Sequence, residues 1–173
     1  CSILLDDNHR VWLATYHKGI MRSDMPYVQG KKLSFSKVDT GSGKSEETML
    51  CALEDADGNL WFGNIDGTLT VCHIRTGRFV VHSLLVDGVA NRASVWALYM
   101  DNKNRLYVGT GDGLLLYNHQ ESTCVKLSAE RYLNEKRQPF IRAIVQTKDG
   151  TIWLGTSNMG VCRLVESASG DIS

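Results

Sequence analysis

The sequence predicts an all-β fold built from repeated four-stranded antiparallel units, and three observations carry that prediction. One short phrase, Lys148-Asp149-Gly150-Thr151-Ile152-Trp153-Leu154-Gly155-Thr156, is echoed at Asn8–Thr15, Asp57–Asn64 and Lys103–Thr110. Aligned on their aromatic residue (Trp12, Trp61, Tyr107, Trp153), the copies lie 49, 46 and 46 residues apart, a period that marks a repeat architecture. The apolar runs between turn residues are short and show no helical period.

Each element of the unit follows from its column in the alignment. Ten residues before the aromatic stand Ser2, Cys51, Ala97 and Ala143, and apolar residues follow each. A run of that length, closed by a turn, predicts a first strand buried on both faces. Three before the aromatic stand His9, Gly58, Asn104 and Gly150, residues that accept positive φ, so this is the left-handed position of a hairpin turn. Val11-Trp12-Leu13 and its counterparts form the second strand. Two residues past the aromatic stand Ala14, Gly63, Gly109 and Gly155, which predict close approach by a neighbour. A third strand starts at Gly19, Gly67, Gly113 and Gly160. Fourth strands are expected at Leu33–Lys37, Arg78–Ser83 and Thr123–Ser128.

Four-stranded units at this period match the blades of a β-propeller, in which neighbours stack because one blade cannot bury both faces. The aromatic column is then the filler between blades. The expected blades are about 1–40, 48–84, 94–129 and 140–165, the last incomplete, so the chain reads as about four blades of a larger propeller. The pattern also resembles the two-component regulator propeller repeat. Ile141–Leu164 and Val95–Asn118 carry the resemblance best, and Cys51–His73 and Cys1–Asp24 more loosely. Tyr107, Asn64, Ala14 and Thr147 depart from it in ways a strand tolerates.

Composition excludes several classes. Lys plus Arg and Asp plus Glu each count 19, so no basic excess points to nucleic acid or to an anionic membrane surface. No apolar run approaches the ~20 residues of a membrane-spanning helix. Cys1, Cys51, Cys72, Cys124 and Cys162 have neither zinc nor disulfide-framework spacing and read as small buried hydrophobes. The five His show no metal spacing, so neither metal nor cofactor is expected. Gly41-Ser42-Gly43-Lys44-Ser45 ends like a phosphate loop, but Val38 stands where the first Gly belongs, and the stretch reads as a linker. Asp6-Asp7-Asn8 reads as an ordinary turn, not half a calcium loop.

Recognition residues are sought where the copies differ. In a propeller the loops between second and third strands share one face with the blade connections. This places His17, Asp66, Asp112 and Asn158 on that face, where each is either a ligand group or a turn former. Eleven before the aromatic, at the same end of each first strand, stand Cys1, Leu50, Trp96 and Arg142. Trp96 offers a ring to a sugar face and Arg142 a guanidinium to a carboxylate. The plainer reading packs Trp96 on the Leu84–Ser94 connection and pairs Arg142 with a local acid. Arg92 is a weaker member of the group.

The resemblance implies the periplasmic sensor region of a hybrid two-component histidine kinase, non-catalytic in this segment. It further implies an oligosaccharide ligand, further blades and downstream sensor domains in the parent chain, and a homodimer. A protein-interaction scaffold and a propeller lyase or hydrolase are the alternatives.

Overall fold

The computed structural model describes residues 2–41, 47–118, 123–127 and 138–164. It is all-β: four sheets, each built on antiparallel strands, stand side by side as propeller blades. Blade 1 is β1 (Ser2–Leu5), β2 (Val11–Thr15), β3 (Gly19–Ser23) and β4 (Phe35–Lys37). Blade 2 is β5 (Met49–Glu54), β6 (Leu60–Asn64), β7 (Thr68–His73) and β8 (Arg78–Ser83). A short hairpin follows, β9 (Leu85–Val86) and β10 (Val89–Ala90). Blade 3 is β11 (Val95–Met100), β12 (Leu106–Thr110), β13 (Gly113–Asn118) and β14 (Thr123–Leu127). The described part of blade 4 is β15 (Ile141–Gln146), β16 (Ile152–Thr156) and β17 (Val161–Leu164). First strands pack in order, β1 on β5, β5 on β11 and β11 on β15.

The turn column behaves as its residues require. His9, Gly58, Asn104 and Gly150 all hold positive φ, at 59°, 79°, 61° and 89°. A carboxylate six residues before the aromatic organises three of the four turns, and in the fourth, where Thr147 holds that place, Asp149 accepts the Thr151 N–H instead. Asp6, Asp55 and Asp101 each accept through Oδ1 two backbone N–H bonds from within the turn, the last from Lys103 and Arg105 at 2.9 and 2.8 Å.

The core is three inter-blade seams. Trp12 meets Phe62 of the next blade, with ring centroids 6.4 Å apart. Trp61 meets Tyr117 at 6.1 Å. Tyr107 is fully buried among Ile141, Ile152 and Leu154. The small column lets these seams close. A Cβ on Gly63 would stand 2.5 Å from Val95, and one on Gly109 would stand 2.6 Å from Ile141, both on the following blade.

Three expectations need correction. Trp153 does not fill a seam: it is 37% exposed, against 2% for Trp12, because no neighbour packs on its face among the described residues. For the same reason β1 and β15 are not buried on both faces; Ile3, Leu5 and Val145 are exposed. Blade 3 exceeds the four-stranded unit that the repeat predicts. After the buried Leu84 the chain leaves blade 2, and β9 pairs in parallel with β14, giving blade 3 a six-stranded sheet. The sequence held a signal for this hairpin: Asp87-Gly88, both at positive φ (51° and 77°), sits between two apolar pairs.

Cys51, Cys72, Cys124 and Cys162 are free and buried, and burial pushes the Cys51 and Cys124 thiols up to about 12. Cys1, Ser128 and most of the Gly41–Ser45 linker lie outside the described residues.

Candidate functional site

The first strands of blades 2, 3 and 4 share a defect. Pairing slips between Met49 and Cys51, between Val95 and Ala97, and between Ile141 and Ala143. Each slip is a β-bulge, and the unpaired extra residues are Leu50, Trp96 and Arg142. A bulge releases its residue from the alternation of the strand and re-aims its side chain. The column that sequence reading singled out is therefore the bulge column. Along it the residues pass from buried Leu50 through half-buried Trp96 to exposed Arg142.

Trp96 and Arg142 come together. The Arg142 guanidinium carbon lies 4.0 Å from the centroid of the Trp96 ring and 5.2 Å from that of Phe140. The two rings are 5.5 Å apart and tilted by 56°. Such a cation over two rings is held electrostatically and by contact. Gly111 shoulders the group: a Cβ there would lie 4.0 Å from both Phe140 and the Trp96 indole nitrogen.

Phe140 is in turn pinned from the neighbouring loop. Its N–H donates to Asn158 Oδ1 at 2.9 Å, and its carbonyl accepts from the Ser157 N–H at 3.0 Å. Asn158, itself exposed, thus belongs to the cluster as the residue that positions Phe140. Phe140 itself escaped sequence reading because it precedes the first strand and has no counterpart in the other copies.

The other candidates are not brought into the cluster. Asp66 accepts from the Thr68 hydroxyl at 2.7 Å, which makes it a turn former. Asp112 pairs with Lys126 at 2.6 Å. His17 holds φ 69°, donates its N–H to Thr48 Oγ1 and sets its ring edge-on to Tyr16. Arg92 has an exposed side chain, while its backbone packs against Gly67. Among the described residues no carboxylate reaches Arg142, and its guanidinium lies instead against the two rings.

A second feature lies between blades 2 and 3, a cleft of about 770 Å³ lined by Trp61, His82, Tyr117, Val80, Met100 and Asp57 among others. Tyr117 Oη and His82 Nδ1 stand 3.1 Å apart across it, and the His82 ring stacks on Trp61. The sequence carried a faint signal here. The Tyr117–Cys124 pair occupies the register position of Cys72–Phe79 in blade 2, so the large and small residues have exchanged strands.

Residues 43–66, 88–112 and 136–158 match the family model for the two component regulator propeller. Among solved structures, the extracellular domain described as that of a hybrid two component system from B. thetaiotaomicron superposes with a TM-score of 0.76 at 16% identity. The match covers 99% of this chain and 24% of that one. A second such domain from the same organism gives 0.68 at 21% identity, covering 99% and 21%. Virginiamycin B lyase from Staphylococcus aureus gives 0.67 at 14%, covering 99% and 53%. The chain thus spans about a quarter of those extracellular domains and about half of the lyase, and at these identities the likeness is one of fold. No curated protein matches it.

Proposed function

We propose that this chain, which carries two component regulator propeller repeats, senses a ligand in the extracytoplasmic region of a hybrid two-component histidine kinase. The ligand is an oligosaccharide, and the segment itself is non-catalytic. The likeness to extracellular domains of such systems supports a sensor region outside the cytoplasm. The observation that carries the reading is the paired bulge: two neighbouring blades break their ladders at equivalent places and so bring an indole and a guanidinium into contact. A repeat that served packing alone would have no need to spend an aromatic and a cation there.

In this reading further blades and the downstream sensor domains belong to the parent chain, which works as a periplasmic homodimer. Ligand binding favours one dimer arrangement over another by its difference in affinity for the two, and the membrane-spanning parent passes that bias inward.

Calorimetry of the full extracytoplasmic region against a polysaccharide panel tests the proposal. Binding that weakens at least tenfold in Trp96→Ala is expected. No heat across the panel would end the sugar-sensing reading. Unchanged affinity with a lowered melting temperature would make Trp96 structural.

A further inference from the structure

We infer that the ligand is acidic: the Arg142 guanidinium receives the carboxylate of a uronic-acid oligosaccharide. The inference deepens the sugar-sensing proposal and rests on it.

Stacking on an aromatic ring is how a neutral sugar would use Trp96, yet the guanidinium already lies over that ring at 4.0 Å. What the cluster leaves outward is Arg142, which is exposed. A guanidinium lying over rings uses its π-face there, and its five N–H donors lie in the plane, around the edge. No described residue accepts a hydrogen bond from them.

Three further facts fit an anion receptor. The two acids on the adjoining loops are committed elsewhere, Asp66 to Thr68 and Asp112 to Lys126, so neither competes for Arg142. The rings restrict the side chain in advance, which lowers the entropy cost of fixing it on binding. The bulge between Ile141 and Ala143 sets its direction from the backbone. A planar fork held in this way matches the two oxygens of a carboxylate. A ligand without a charge would leave that fork to water.

The test uses the intact extracytoplasmic region and calorimetry with trimers of galacturonic, glucuronic and mannuronic acid, each also in its carboxyl-reduced, neutral form. At least one acid trimer is expected to bind, with its reduced form about 10- to 100-fold weaker, the span of one or two charge-assisted hydrogen bonds. Arg142→Gln should bring the acid trimer down to the affinity of the reduced form and leave the reduced form unchanged. Arg142→Lys, which keeps the charge and loses the fork, should fall between. Acid binding should also weaken as salt rises. If reduced trimers bind as tightly as acid ones, or Arg142→Gln changes nothing, the acidic ligand is wrong and sugar sensing stands. If no trimer binds in either form while neutral polysaccharides do, the acidic ligand is again overturned alone. If nothing on either panel binds, both readings fall. Should Arg142→Gln not fold, the acid and reduced pairs on the unmodified protein still decide.

Discussion

Asp55 joins two parts of its blade. One oxygen takes the Asp57 and Asn59 N–H groups of the turn, and the other accepts from the Trp61 indole at 2.8 Å. Asp6 does the same for Trp12. In the third copy Tyr107 replaces the indole, and Asp101 turns its second oxygen to Arg105 at 2.6 Å. Truncating Asp55 strands the indole donor in a seam where Trp61 is 6% exposed. Asp55→Ala should cost about 1–3 kcal/mol in urea unfolding, and Asp57→Ala, on the exposed side of the turn, far less. The aspartate was visible in the repeat phrase, but its bond to the aromatic was not. That bond joins residues six apart across a hairpin, and spacing says nothing of which oxygen points where. Next to it, partial burial and then Asp7, Asp6 and Asp55 push the Glu54 carboxyl up. A raised acid binds its proton more tightly when folded, so its contribution is full below the unfolded carboxylate range. It is lost as pH rises through the folded value. Glu54→Gln should therefore raise the melting temperature at pH 7 and leave it nearly unchanged at pH 3.

At the scale of the strand, the second small column gives the clearest contrast. A methyl on Gly63 would meet Cys51 and Val95 at 2.5 Å, and one on Gly109 would meet Ile141 at 2.6 Å. One on Gly155 would meet only Ala143, at 3.4 Å. Gly63→Ala and Gly109→Ala should each destabilise by about 1–3 kcal/mol through overpacking, while Gly155→Ala in the 173-residue chain should be near neutral by thermal unfolding. The same substitution in a longer protein reports whether another blade covers Trp153. If it does, Gly155→Ala should then cost as much as Gly109→Ala. The bulges were legible only as a column of unlike residues. Leu50, Trp96 and Arg142 gave no pattern of their own, because a bulge is a slip in pairing and pairing is not written in either strand alone.

For the molecule as a whole, the architecture was legible because it is said four times. Repetition let the chemistry of one turn, one aromatic and one glycine be checked against three others. The cluster at Trp96 and Arg142 was half legible. The two residues stood in one column, but Phe140 and its bond to Asn158 lie in unrepeated sequence. The cleft around Tyr117 and His82 was not foreseen at all, since its walls are outer strands 35 residues apart and the space depends on how two blades splay.

The run from β8 through Leu84 into β9 has a mechanical meaning. One uninterrupted stretch of backbone is hydrogen-bonded into two sheets, so blade 2 and blade 3 are stitched along their rims as well as stacked at their seam. Among the described residues blade 1 meets blade 2, and blade 4 meets blade 3, by packing, with no stretch of backbone paired into both sheets. The middle pair should thus open as one cooperative unit and the end blades fray singly. Amide hydrogen exchange should show one common slow rate for the cores of β6, β7, β12 and β13, with faster exchange in β1 and β17. Separate slow rates for blades 2 and 3 would show that the stitch carries no load.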